Sequence, residues 1–221
     1  DESQRFGLNS FKALGASYGM AKQLEKNPDI ETFCTATDGN HGKSVAWMAR
    51  KLKRKSIVYV PKNTSISRIE AIKNEDAEVY ITDDNYDGTV VKAQRRCDKE
   101  NIIARKNAWS LVQDTAWDSY EEVPLHIMKG YWTQIHEITE QIISSNVDIL
   151  FLQAGVGSWA ASIASYIMIY WKNPPMIITV EPLSANCVYE SIKTGKRVSI
   201  NNLKNTIMAG LNCGTVSKIA W

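Results

Sequence analysis

The sequence of 221 residues lacks an apolar run long enough to cross a bilayer, which takes about 20 residues. The longest such run is ASIASYIMIYW, at residues 161–171. No secretory signal peptide is visible at the start of the chain. We therefore predict no membrane association, and we expect a cytoplasmic location.

An excess of charge of either sign is also missing. The chain carries 26 Lys and Arg against 24 Asp and Glu, a net charge of +2. This balance predicts no nucleic-acid partner. The local basic run RKLKRK at residues 50–55 is interpreted as the solvated C-terminal end of a helix, where positive charges are favourable.

Cysteine is scarce and scattered, at positions 34, 97, 187 and 213. No C-x-x-C pair or similar spacing occurs, so no metal site is predicted. Internal repeats and low-complexity segments are absent as well.

Cys187 and Cys213 follow stretches on the C-terminal side of the chain, where they are either neighbours near a cleft or two unrelated buried thiols. Disulfides are rare in the cytosol, so both alternatives stay open.

Along most of the chain, short apolar segments alternate with segments of helical periodicity. Strands are predicted at ETFCTA, SIVYVP, AEVYIT, DILFLQ and MIITVEP, with helices before and between them, one of them running from about Glu121 to Ser145. This order predicts an α/β fold of parallel sheets covered by helices. The irregular stretch at residues 104–124 is the expected hinge, between a small lobe at residues 1–125 and a partial large lobe at residues 126–221.

The segment TDGNHG, at residues 37–42, lies where a predicted strand meets a helix that we expect to begin near Ser44. Its two glycines allow close approach of the backbone to another group. The start of a helix offers N–H donors. This junction is therefore predicted to bind a polar or anionic ligand.

A second glycine turn, G-x-G-x-x-A, runs from Gly155 to Ala160 between a predicted strand and a helix. Backbone N–H groups and the helix dipole form an anion cradle there, and Ser158 adds a hydroxyl donor. Glu181 ends the following strand, as in a dinucleotide-binding fingerprint. A nicotinamide-dependent oxidoreductase is therefore one alternative, and a tight turn without a ligand is another.

Lys12 falls in the first turn of a predicted helix. The positive end of the helix dipole disfavours an ammonium there, and so favours the neutral amine that forms a Schiff base. A reactive lysine together with a phosphate cradle is what pyridoxal phosphate requires. The two glycine turns and Lys12 together therefore point to this cofactor.

The segments SFKALGA, TDGNHG and QAGVGS occur in the order and spacing of fold-type II pyridoxal-phosphate enzymes. With VQDTAW, ANC and TIMAGLNCG, the chain most resembles the diaminopropionate ammonia-lyase family over nearly its whole length. The resemblance implies a two-lobed fold-type II enzyme with pyridoxal 5'-phosphate as cofactor. It also implies a small amino-acid substrate and a homodimer.

Site residues can be carried over from the family motifs to this chain. The resemblance implies that Lys12 is the Schiff-base lysine and that Asn40 bonds the ring hydroxyl of the cofactor. Asp38 resembles the lyase carboxylate, at a position where many hydroxyamino-acid dehydratases carry serine. His41 is expected to be a packed, hydrogen-bonded ring. The implied phosphate loop consists of Gly155, Val156, Gly157 and Ser158.

Asp38 gives a physical reason to favour the lyase. The substrate 2,3-diaminopropionate carries an amino group on Cβ, which a carboxylate would attract when it is protonated. The predicted reaction is α,β-elimination to pyruvate and two ammonia, with Lys12 and Asp38 as the proton-transfer groups. A serine or threonine dehydratase of the same fold is the main alternative.

The ends of the chain are unusual, since it opens on Asp1 without a methionine and stops at Trp221. The resemblance implies family members that begin earlier and end later. On this ground we expect a fragment with little lyase activity of its own. An inactive cofactor-binding fragment is therefore a further alternative.

Overall fold

The computed structural model describes residues 2–142, 147–200, 204 and 206–221. The chain divides into two compact units, Asp1–Asp114 and Thr115–Trp221. The division falls inside the stretch expected to be a hinge, but earlier than residue 125. It does so because part of that stretch forms a strand that pairs within the first unit.

Seven helices and six strands are present in the described residues. The helices are α1 (Lys12–Lys26), α2 (Asn40–Lys51), α3 (Ile66–Lys73), α4 (Tyr86–Ala104), α5 (Glu122–Gln141), α6 (Ser158–Tyr170) and α7 (Cys187–Thr194). The strands are β1 (Thr32–Ala36), β2 (Lys55–Pro61), β3 (Glu78–Thr82), β4 (Trp109–Leu111), β5 (Ile149–Gln153) and β6 (Met176–Val180). Two short 3₁₀ turns lie at Arg5–Gly7 and Ala209–Leu211.

The first unit is built on a parallel sheet with strand order β3-β2-β1-β4. All five residues of β1 are buried. On one face, Val58 and Val60 pack against residues of α2 and α3. On the other face, the Cys34 thiol approaches the Ala93 carbonyl of α4 at 3.7 Å. Alternate side chains of a strand point to opposite faces, so this sheet is covered by helices on both sides, as predicted.

Strand β4 lies within the segment predicted to be irregular. It has three residues and pairs with β1 through Cα partners such as Cys34 and Leu111. So short a segment has too few residues for a periodic pattern, and the sequence therefore gave no signal for it. Because β4 runs beside β1, the residues that follow it come to the carboxyl end of the sheet.

The second unit contains the parallel pair β5-β6. Leu152 packs with Ile135 of α5 and with Ile163 and Ile167 of α6 in a buried cluster. On the opposite face of the pair, Phe151 is 63% exposed. In this unit the helices therefore cover one face of the described strands.

Two helices of the second unit differ from the prediction. Helix α5 ends at Gln141, and the part of its prediction at residues 143–145 lies outside the described residues. Helix α7, of eight residues, was not predicted. No helix in the described part of the chain has the length and apolar character needed to span a membrane.

Candidate active site

Lys12 is the first residue of α1, as predicted. Its backbone N–H donates to Ser10 Oγ at 3.2 Å, which fixes the start of the helix. Its Nζ donates to Asp114 Oδ2 at 2.6 Å, and the two side chains are 24% and 6% exposed. This carboxylate stabilises the positive charge on Lys12 and so opposes the effect of the helix dipole on which the prediction relied.

Asp114 is the main site residue that sequence reasoning missed. It lies three residues after β4, in the motif VQDTAW. This motif contributed to the family resemblance, but no role was predicted from it for Asp114. Tyr86 donates to its Oδ1 at 3.4 Å, and Gln113 Nε2 donates to the Tyr86 hydroxyl at 2.8 Å. Gln113 also bonds the backbone of Ala36 at the end of β1, with both distances 3.0 Å. The sheet therefore fixes the position of Asp114, and Asp114 in turn holds Lys12.

The charge state of Asp114 follows from its neighbours. Burial by itself raises the pKa of a carboxyl group, but the positive charge of Lys12 and its hydrogen bond to Asp114 hold the pKa of Asp114 well below its usual range. Asp114 is therefore ionised at neutral pH and forms an ion pair with Lys12 when the lysine is protonated.

His41 is buried, and its Nε2 lies 2.8 Å from the Val112 carbonyl. A carbonyl oxygen only accepts, so Nε2 carries the proton in this bond. Burial lowers the pKa of His41, although the charge of Asp114 opposes this effect, and the ring is neutral at neutral pH. Its Nδ1 lies 3.8 Å from Asp114 Oδ2. These contacts are those of a packed, hydrogen-bonded ring.

Asp38 lies between the end of β1 and the start of α2, and its side chain is half-buried. Burial raises the pKa of Asp38, while the positive charges of Arg68 and Lys12 act in the opposite direction. Arg68 Nη1 donates to the Asp38 carbonyl at 3.2 Å. Asp38 and Lys12 are therefore close enough to influence each other's charge state.

The TDGNHG segment differs in one respect from the prediction. Helix α2 begins at Asn40 rather than near Ser44, so Asn40 and His41 belong to its first turn. A Cβ on Gly42 would lie 2.2 Å from Thr37 Cγ2 and 2.8 Å from Val58 Cγ1. This glycine therefore allows α2 to pack closely on the sheet. The group that approaches it is a protein side chain and not a ligand. Asn40 is exposed at the helix start, where it is accessible to a ligand.

In the second unit, the predicted phosphate loop joins β5 to α6. A Cβ on Gly155 would lie 3.2 Å from the Gly210 carbonyl oxygen and 3.1 Å from Cys213 Sγ. The Ser217 N–H donates to the Val156 carbonyl at 2.8 Å. Residues between 209 and 217 therefore pack against this loop, and a side chain at position 155 would crowd them.

Gly157 has φ of +86° and immediately precedes the first residue of α6. This left-handed conformation favours glycine whatever the surrounding space. Ser158 follows as the first, buried residue of the helix. The predicted cradle is therefore a glycine turn at a helix N-terminus. The backbone conformation alone is enough to explain the glycine at position 157.

Glu181 stands at the end of β6, as predicted, but its carboxylate has a structural role. Both oxygens accept backbone hydrogen bonds from α7, one from Val188 and one from Tyr189, each at 2.8 Å. Burial raises the pKa of Glu181, and these two bonds oppose that effect. The carboxylate caps α7, so its position does not indicate a ribose site.

The four cysteines are buried thiols rather than halves of disulfides. Cys187 Sγ lies 3.5 Å from the Gly155 carbonyl, and Cys213 Sγ crowds the same glycine. Both thiols therefore lie close to the same loop residue, Gly155.

The structure thus distributes the predicted site residues over both units. Lys12, Asp38 and Asn40 belong to the first unit and lie around the carboxyl end of β1. The predicted phosphate loop, Gly155 to Ser158, belongs to the second unit.

Comparison with known families decides the class of the protein. The model of the pyridoxal-phosphate dependent enzyme family matches residues 1–221. The chain belongs to this pyridoxal-phosphate-dependent family. Membership of this family contradicts the nicotinamide-dependent alternative that the Gly155 turn had suggested.

Within the family, the chain is 43% identical over 248 residues to diaminopropionate ammonia-lyase from Salmonella typhimurium, covering 100% of the chain and 60% of that protein. It is 29% identical over 198 residues to a biosynthetic L-threonine dehydratase from Staphylococcus aureus, covering 86% of the chain and 43% of that protein. The chain thus spans less than two thirds of the length of these relatives.

A solved structure agrees with this pattern. Diaminopropionate ammonia lyase from Escherichia coli, in complex with an aminoacrylate-PLP azomethine reaction intermediate, matches with a TM-score of 0.89 and 38% identity. The match covers 100% of the chain and 58% of the Escherichia coli chain. The fold is therefore that of the fold-type II enzymes, as predicted.

The residues of the present chain fit the cofactor. The Lys12 amine is partly exposed and is held by a buried carboxylate. Gly157 in its left-handed conformation directs the backbone into the N-terminus of α6, which favours a phosphate. An amine and an anion cradle are the two groups that pyridoxal phosphate needs from a protein.

Proposed function

We propose that the protein is a pyridoxal-phosphate-dependent ammonia-lyase that converts 2,3-diaminopropionate and water to pyruvate and two ammonia. The observation that carries this proposal is Asp38, a half-buried carboxylate within the electrostatic range of Lys12. A protonated β-amino group on the substrate complements this carboxylate, whereas the neutral hydroxyl group of serine does not. The higher identity to the diaminopropionate lyase than to the threonine dehydratase supports the same choice.

In this proposal, Lys12, Asn40 and the loop Gly155 to Ser158 hold the cofactor. When bound, pyridoxal phosphate supplies an electron sink that allows bonds at the substrate Cα and Cβ to break. The protein contributes geometry and proton transfer.

Lys12 and Asp38 are assigned the proton transfers. The Lys12 amine takes the Cα proton of one enantiomer, and the Asp38 carboxylate takes it from the other. Asp114 accepts a hydrogen bond from Lys12 and fixes the direction of its amine. Asp38 also attracts the protonated β-amino group before it leaves as ammonia.

A substrate panel tests the proposed function. The purified holoenzyme, incubated with 2,3-diaminopropionate, should release pyruvate and ammonia in a ratio of one to two. L-Serine and L-threonine under the same conditions should be converted at least about tenfold more slowly, since they lack the charge that Asp38 recognises. Faster turnover of either hydroxyamino acid would favour the dehydratase alternative. Failure to turn over any of the three would favour the inactive cofactor-binding protein.

The phosphate loop gives a second prediction, at Gly157. Valine at this position would strain the backbone by about 1–3 kcal/mol, because β-branched residues avoid positive φ. Gly157→Val should therefore lose stability as well as cofactor affinity. Gly157→Asn tolerates the left-handed conformation better, so it should keep most of the stability but bind the cofactor at least about tenfold more weakly.

Gly195 offers a matched control for this experiment, since its φ is +68° and its missing Cβ has no neighbour within 4 Å. Cofactor titration followed by absorbance, and thermal melting, should be measured for Gly157→Asn and Gly195→Asn. Normal cofactor affinity in Gly157→Asn would place the phosphate site elsewhere.

A cytoplasmic location and a homodimer remain part of the proposal. All four cysteines are thiols rather than disulfides, which is typical of a reducing compartment. The homodimer follows from the family resemblance alone.

A further inference from the structure

Arg68 makes contacts that neither the sequence motifs nor the proposed reaction assigns to it. It lies on α3, the short helix that follows β2. Its Nη1 donates to the Asp38 carbonyl at 3.2 Å, from a side chain that is partly buried. Its Cδ also lies 3.5 Å from the position that a Cβ on Gly39 would occupy. The arginine therefore lies against the peptide between Asp38 and Gly39.

The charges that act on Asp38 come from three parts of the first unit. Lys12 on α1 and Arg68 on α3 favour its ionised form, and Asp114 after β4 opposes it. Lys12 and Asp114 form an ion pair at 2.6 Å, so their effects on Asp38 partly cancel. Among the described residues, no carboxylate lies within ion-pair distance of Arg68. Burial raises the pKa of Asp38, and the charge of Arg68 opposes this effect more strongly than the charge of Lys12 does.

We propose that Arg68 is a positioning residue for Asp38, which holds the Asp38–Gly39 peptide in place and keeps the carboxylate ionised for proton transfer and for recognition of the substrate β-ammonium group. This role rests on the proposed function, but the coupling of the two residues does not. The hydrogen bond fixes the backbone from which the carboxylate projects. The charge favours the form of Asp38 that can accept a proton.

A double-mutant cycle on stability tests the coupling without reference to activity. Arg68→Met removes the charge that favours ionised Asp38, so the melting temperature of this variant should fall below that of the wild type as the pH rises from 4 to 7. A difference of about 2 °C or more is expected at pH 7. In the Asp38→Asn background the same pH-dependent difference should disappear. Its persistence there would overturn the proposal.

The catalytic part is tested by the pH profile of kcat/KM for the enantiomer of 2,3-diaminopropionate whose turnover depends on Asp38, as identified with Asp38→Asn. Arg68→Met should move the acidic limb to higher pH by roughly one unit, since loss of an opposite charge that acts on a carboxylate raises the pKa of that carboxylate. Arg68→Lys keeps a positive charge and should retain most of the wild-type profile. Lys73→Met, which removes an exposed cation from the same helix, is the matched control and should leave the limb unchanged.

The outcomes separate the two proposals. An unchanged acidic limb in Arg68→Met would overturn the role of Arg68, as would a lack of coupling in the stability cycle. A wild-type enzyme that is inactive on 2,3-diaminopropionate would overturn the proposed function, while the stability cycle would still decide whether Arg68 acts on Asp38.

Discussion

Replacing Lys12 by alanine is expected to lower turnover of 2,3-diaminopropionate by at least about 10³-fold, because the variant loses both the amine that holds the cofactor and a proton-transfer group. Borohydride reduction of the wild-type holoenzyme should attach the cofactor covalently to the peptide that contains Lys12. Peptide mapping by mass spectrometry measures the position of the label. A label on a different lysine would contradict the assignment.

The structure predicts a second consequence of this change. In Lys12→Ala the buried Asp114 loses the positive charge nearest to its carboxylate, and a buried charge without its partner destabilises the fold. The melting temperature should therefore fall together with activity. The double variant Lys12→Ala/Asp114→Asn should recover stability but not turnover. Recovery of turnover as well would show that Lys12 acts only through the fold.

Replacing Asp38 by asparagine is expected to slow turnover by ~10²–10⁴ while leaving cofactor binding intact, which is the usual range for loss of a general acid or base. The rates with the two enantiomers of 2,3-diaminopropionate should change unequally, because Asp38 is assigned the Cα proton of only one of them. Asp76→Asn is a suitable control, since the Asp76 side chain is 80% exposed. If the two enantiomers are turned over at equal rates in the wild type, and again at equal rates in Asp38→Asn, this role is refuted.

Asp38→Asn should also change the pH dependence of stability. Burial raises the pKa of Asp38 above its unfolded value, although Arg68 and Lys12 reduce this effect. The folded protein therefore binds this proton more tightly than the unfolded chain does. The stability that this preference contributes is fully present below the unfolded pKa of about 3.9 and is lost as the pH rises through the folded value. The variant should be at least as stable as the wild type at pH 7, and this advantage should vanish near pH 3.

Much of the fold could be predicted from local patterns in the sequence. Alternating apolar segments predicted the parallel sheet of the first unit, and the helical spacing after Ser10 placed Lys12 in a first turn. The glycine turn between β5 and α6 was also visible, because strand, turn and helix are adjacent in the chain. The family resemblance then identified the cofactor, through motifs whose combination is specific although each motif is common.

Other features depend on residues that are distant in the sequence. The Lys12–Asp114 ion pair joins positions 102 residues apart, and the Arg68–Asp38 bond joins positions 30 residues apart. Strand pairing and helix packing create these contacts, and neither leaves a periodic signal at the residues themselves. The same holds for Glu181, whose carboxylate would bind a ribose under the dinucleotide alternative but caps α7 in the structure. The sequence by itself therefore determined the class of fold, and it led to the proposal that Lys12 is the reactive lysine. Only the tertiary structure decided which charges surround Lys12 and Asp38, because electrostatic effects depend on distance and burial and not on order along the chain.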